Sequence, residues 1–179
     1  MNKTKILSLV SQILAENAIS EAPIPIEKII QSMGLELRFE PFNDAEDPMS
    51  GVLFKDDTNL VIGINPNENP NRQRFTMAHE LGHFLLHQKE NMHIDTRSSV
   101  FLRKQLYAKA TDQKEIEANL FAAELLMPKK IIEAELGVCK KEGRMISDEE
   151  IIENLAIKFK VSAQAMAFRL LNLKFIKID

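Results

Sequence analysis

A single cysteine, Cys139, stands in the chain, so no internal disulfide can form and a four-cysteine zinc site is excluded. Such thiol poverty suits a reducing cytoplasm, which is the expected location. No segment approaches the roughly 18 consecutive apolar residues that a bilayer crossing needs, so no membrane role is expected. The apolar residues of Met1 to Val10 are interrupted by Ser8, polar Ser11 and Gln12 follow, and no small-residue cleavage site is present; this start predicts a helix rather than a signal peptide. A global basic field is missing as well. The 26 acidic and 23 basic residues give a net charge of -3, so direct DNA binding is not expected and would have to be local. Internal repeats and low-complexity tracts are also lacking.

What is present is an ordinary globular composition. Of 179 residues, 45% are hydrophobic and 27% charged, enough for a sizeable core in one domain or a domain with a small appendage. Ile6, Leu9, Val10, Ile13 and Leu14 recur at helical spacing, and the Ala22 to Pro25 stretch ends that pattern before a short helix from Ile26 to Met33, stopped by Gly34. Leu35 to Phe39 alternates as a half-buried strand, and a polar loop runs from Pro41 to Ser50. Two β-prone runs, Gly51 to Lys55 and Leu60 to Ile64, flank Asp56 to Asn59, which is hairpin chemistry, so a small antiparallel sheet is predicted.

After the loop Asn65 to Asn71, Pro70 can occupy the first turn of a helix reaching about His87. A further helix is predicted from a Thr111 N-cap to Leu126, ended by Pro128, then another from Lys129 to Leu136. The tail from Ser147 to Leu173 holds two helical patterns parted near Lys160 to Ser162. Ser162 suits an N-cap, and the pair reads like a helix-turn-helix.

The chemistry concentrates in His79-Glu80-Leu81-Gly82-His83. Residues four apart on a helix share a face, so both imidazoles can point at one metal ion, with Glu80 beside it to take a proton from an attacking water and deliver it to a leaving amine. Zinc suits such a site because it polarises a carbonyl without redox chemistry, although His and carboxylate ligands also serve manganese. The bland alternative is a coincidence on an amphipathic helix. The apolar setting of Phe75, Leu81, Phe84 and Leu85, and Gly82 permitting close approach, favour the metal.

Two histidines leave a third ligand to find. The metzincin continuation fails, since Leu86 and Lys89 occupy the positions of its glycine and third histidine. A downstream carboxylate is the substitute, with Glu115, Glu117 and Glu124 as candidates. His87 extends the histidine row by a turn but suits a structural role at the helix end, and His93 reads as a solvated loop residue. For Glu124 the plain reading is a helix-surface or capping charge, and for Arg72 and Arg74 it is surface charge or a structural salt bridge. Leu60 to Ile64 could equally be a core strand or an exposed edge for an extended peptide.

Arg74 to His87, followed by Glu115-Ile116-Glu117-Ala118-Asn119-Leu120-Phe121-Ala122-Ala123-Glu124-Leu125-Leu126-Met127-Pro128, closely resembles the ImmA/IrrE family of metallopeptidases. Both blocks match in order, and a looser likeness extends over nearly the whole chain. The resemblance implies an α+β zincin-like fold, with the small antiparallel sheet packed on the motif helix in residues 1-136 and a helical appendage packed on that core in 145-179. It makes Glu115 the third zinc ligand beside His79 and His83, with Glu117 as fallback, and Glu80 the general base and acid. Asn119, one turn beyond Glu115, could then orient a ligating histidine. It further implies a regulatory protease that cleaves or inactivates a helix-turn-helix transcriptional repressor in mobile-element, stress-response or toxin-antitoxin-like control. A zinc-containing protein that displaces a repressor without cutting it, and a zinc hydrolase acting on something smaller than a protein, are the rival readings; a pure scaffold would have no need of Glu80.

Overall fold

The computed structural model describes residues 3-42, 49-56, 58-87, 92-96, 109-141 and 147-177. Two helices open the chain, α1 (Lys3–Glu16) and α2 (Ile26–Ser32), followed by strands β1 (Glu36–Phe39), β2 (Met49–Lys55) and β3 (Leu60–Ile64). Then come α3 (Pro70–Leu86), β4 (Met92–Thr96), α4 (Lys109–Leu126), α5 (Lys129–Lys141), α6 (Asp148–Phe159) and α7 (Ala163–Asn172).

The architecture is α+β, and the sheet corrects the expectation of an antiparallel one. Its order is β1-β3-β2-β4, with β2 antiparallel to both neighbours but β1 parallel to β3. Alternation specifies which side chains face the core and leaves strand order open. Here the β2-β3 hairpin folds back so that β3, not β2, docks beside β1, with Leu37 opposite Ile62. As a result β3 is an inner strand, and the thought that Leu60 to Ile64 offers a free edge is overturned; among the described residues β1 and β4 are the outer strands. His93 is likewise misread as a loop residue. It lies in β4, paired with Leu53, and the alternation of Met92 and Ile94 with His93 and Asp95 was the available signal.

Helix boundaries follow local chemistry. Asn69 caps α3 by accepting from the Asn71 backbone N–H at 2.9 Å, and Pro70 takes the first turn, where its missing N–H costs nothing. Ser147 and Ser162 cap α6 and α7, the latter accepting from Ala165 N–H at 3.1 Å. Helix α4 starts at Lys109, so Thr111 lies inside it rather than capping it, and α5 runs on past Leu136 to Lys141.

One continuous core joins α1, α2, the sheet and α3 to α7. Ile13, Ile30, Ile62, Leu81, Phe121, Ile132, Phe159 and Leu170 all belong to it. Helix α3 lies between the β2 face of the sheet and α4. Two glycines set those distances. A Cβ at Gly51 would stand 2.3 Å from Thr76 Cγ2, and one at Gly82 would stand 3.1 Å from Phe121 Cδ1 and 3.2 Å from the Ala118 backbone. Helix α3 can therefore press on the sheet and on α4 at once.

The candidate metal centre

The α3-α4 contact brings the predicted ligands together. His79 and His83 leave one face of α3 four residues apart, with ring centroids 4.7 Å apart and Nε2 atoms separated by 3.1 Å. The Glu115 carboxylate on α4 faces both, at 3.1 Å from His83 Nε2 and 3.5 Å from His79 Nε2. All three are buried, with 2%, 1% and 7% of their surface exposed respectively. One ligand atom from each lies within 4.8 Å of the others, and this is the one such metal-ready trio among the described residues.

The donor set fits a divalent cation. Two imidazole nitrogens and a carboxylate oxygen converge at separations near the roughly 3.4 Å edge of a tetrahedron whose ligand bonds are about 2.0-2.1 Å. The tautomer fits too. His79 Nδ1 sits 3.1 Å from Asn119 Oδ1, so Nδ1–H donates to the amide oxygen and Nε2 turns its lone pair toward His83 and Glu115. Asn119 thus stands where the sequence places it, one turn beyond Glu115. Glu80 is wholly buried on the same helix turn.

The competing residues are held elsewhere. Glu117 lies two positions past Glu115, about 200° around α4, and accepts from Gln113 Nε2 at 3.1 Å. Glu124, expected as a surface or capping charge, is instead buried and paired with Arg169 of α7, whose Nη1 donates to Glu124 Oε1 at 2.6 Å while Nε donates to the Met127 carbonyl at 2.9 Å. Forty-five residues separate the partners, so helical periodicity carries no signal for the pair. His87 closes α3, its Nε2 3.2 Å from the Lys114 carbonyl and its ring 5.3 Å from that of His83. Arg74 donates to the carbonyls of Ile24, at 2.7 Å, and Lys160, at 3.3 Å, and burial pulls its pKa down; the role is structural. Arg72 donates to Ser50 Oγ at 3.3 Å and stands 5.9 Å from the Phe75 ring.

A cleft of about 690 Å³, lined in part by His79, opens between α3 and α7. His79 and Asn119 reach it, along with Phe75 of α3 and Val161, Ala165 and Phe168 of the C-terminal segment. The sequence offered no sign that these distant residues share a wall.

An α+β chain carrying a buried trio of two histidines and a glutamate on two packed helices has the frame of a metallopeptidase. Residues 30-171 match the family described as the IrrE N-terminal-like domain of peptidases, and the chain belongs to this ImmA/IrrE family. It is 35% identical over 83 residues to the metallopeptidase ImmA of Bacillus subtilis, covering 46% of this chain and 44% of that protein. It is 30% identical over 142 residues to the radiation response metalloprotease IrrE of Deinococcus radiodurans, covering 76% of this chain and 37% of IrrE. An uncharacterized immunity region protein 2 of Bacillus phage phi105 is 37% identical over 78 residues, 44% of each chain. The chain therefore spans less than half the length of these relatives. A solved structure of a Mycobacterium tuberculosis transcriptional regulator shares the fold, with a TM-score of 0.61 at 17% identity over 93% of this chain and 46% of that one. Among the described residues, no helix is long and apolar enough to cross a membrane.

Proposed function

We propose that this chain is a zinc-dependent regulatory endopeptidase acting on a protein substrate in the cytoplasm, and that the substrate is a helix-turn-helix transcriptional repressor. The reading rests above all on the convergence of His79, His83 and Glu115 beside Glu80. His79, His83 and Glu115 hold the zinc, which when bound polarises the scissile carbonyl and acidifies the attacking water. Glu80 takes the proton from that water and returns it to the departing amine. Asn119 keeps the His79 ring in one tautomer and orientation, and Gly82 keeps α3 close enough to α4 for Glu115 to reach both rings. Residues 1-136 form the peptidase unit and 145-179 a helical appendage on it. The names of the relatives carry a metallopeptidase activity, joined in IrrE to a radiation response, and the net charge of -3 favours a protein partner over DNA.

The test is incubation of the purified, zinc-loaded protein with the repressor encoded beside it, in parallel with Glu80→Gln. Metal-dependent fragments that vanish in the variant, at a rate loss of at least about a hundredfold, are expected. Loss of operator binding by the repressor with no fragments would instead mean displacement without cleavage and would overturn the peptidase reading.

A further inference from the structure

We propose that the α6-α7 pair is a wall of the substrate cleft, and that Phe168, Ala165 and Val161 form with Phe75 a subsite for a bulky apolar side chain of the cleaved polypeptide. The proposal rests on the peptidase reading above, since His79 lines the same cleft. Four observations carry it.

Phe168 is 60% exposed although its α7 neighbours Met166, Arg169 and Leu170 are buried. Its ring therefore points away from the core and into the cleft rim, where folding does not require an aromatic. Phe75 completes the apolar lining from the other side. It lies one turn before His79 on α3, its ring centroid 6.2 Å from that of the histidine, so a side chain between Phe75 and Phe168 would lie next to the candidate metal centre.

The wall is also held in register with the catalytic helices. Asn71 Nδ2 in the first turn of α3 donates to the Val161 carbonyl at 3.1 Å, Arg74 donates to Lys160, and Arg169 grips Glu124 on the helix that carries Glu115. A binding wall fixed to the same helices as the ligands preserves the distance between subsite and scissile bond. Finally, the cleft does not end as a closed pocket. Beside it lies a second, more open depression of about 300 Å³ that shares Asn71, Val161 and Ser162 with the cleft and is edged by Ile157, which is 77% exposed. An open groove with an apolar subsite and a polar rim of Asn69 and Gln164 suits an extended polypeptide better than a compact metabolite.

Two measurements test this and separate it from the hydrolytic reading. In the first, N-acetyl-phenylalanine methylamide and N-acetyl-aspartate methylamide are titrated into the isotope-labelled full chain, followed by backbone amide NMR shifts. Saturable shifts at residues 161-168 and 75 are expected with the phenylalanine probe alone, and both Phe168→Ala and Ala165→Phe should remove them while leaving metal content and melting temperature unchanged. In the second, the zinc-loaded protein digests a mixed peptide library. A preference of about tenfold or more for Phe, Leu or Met over Ala at one position beside the cleaved bond is expected, falling to less than about threefold in Phe168→Ala. Selective shifts without cleavage of any peptide would leave the subsite standing and sink the peptidase. Cleavage without side-chain preference, or a phenylalanine probe that moves no cleft resonance, would overturn the subsite.

Discussion

Two imidazole nitrogens 3.1 Å apart, with a carboxylate facing both, form a cluster of lone pairs that gains most from a cation placed among them. At this scale the choice between Glu115 and Glu117 is a matter of helix phase. Both are buried, yet one faces the histidine rings and the other is bonded to Gln113. Glu115→Ala is expected to weaken zinc binding by about a hundredfold or more, whereas Glu117→Ala should retain one zinc per chain; Asn119→Ala, by releasing the His79 ring, should cost about ten- to a hundredfold. Metal analysis after dialysis against a graded chelator reads all three. Full zinc affinity in Glu115→Ala would refute the ligand assignment.

Elements matter through their separations. Helices α3 and α4 meet across Gly82, where an added Cβ would crowd backbone atoms that cannot swing aside. Gly82→Ala is expected to destabilise the fold by about 1-3 kcal/mol and, by parting the helices, to lower zinc affinity as well. Denaturant unfolding with and without metal measures both effects, and the metal-bound form should lose more. The β2-β3 hairpin offers a pH-dependent counterpart. Asp56 Oδ1 accepts from the Asn59 side chain and from the Thr58 and Asn59 backbone N–H groups at 2.7-3.0 Å, and these bonds hold its pKa down at about 2. A depressed carboxylate pKa stabilises the fold above the ordinary value of about 4, and the contribution disappears as pH falls through the lowered value. Asp56→Ala should therefore lower the melting temperature at pH 7, with the gap from wild type closing between about pH 4 and pH 2. A gap that persists at pH 2 would mean the turn acts through something other than this carboxylate.

Across the whole molecule, α7 is tied to α4 by a buried ion pair with its hydrogen-bonding capacity largely filled: Arg169 bonds both Glu124 oxygens and the Met127 carbonyl. Removing one partner strands a charge in the core. Glu124→Ala is expected to cost about 3-5 kcal/mol, while the paired replacement Glu124→Leu with Arg169→Met should recover most of that loss. Urea titrations of the three proteins decide it. If the double variant is no better than the single one, the pair does more than cancel its own desolvation, and loosening of the cleft wall on α7 becomes the measurable cause.

The chain's own pattern carried much of this. The spacing of His79 and His83, the cap at Ser162, the proline at the start of α3 and the hairpin residues act within a few positions, and local chemistry is what a linear string displays. The α+β class was legible for the same reason. Strand order was not, because alternation specifies a face and leaves the neighbour open, so β3 came to lie beside β1 in parallel and β4 went unseen. Nor was the burial of Glu124, whose partner lies 45 residues away, or the meeting of Phe75 with Phe168 across a cleft. By itself the sequence determined which residues could bind a metal and on which helix two of them stand. Only the tertiary structure decided which glutamate reaches them and what surrounds the opening beside them, because both depend on how helices far apart in the chain pack against each other.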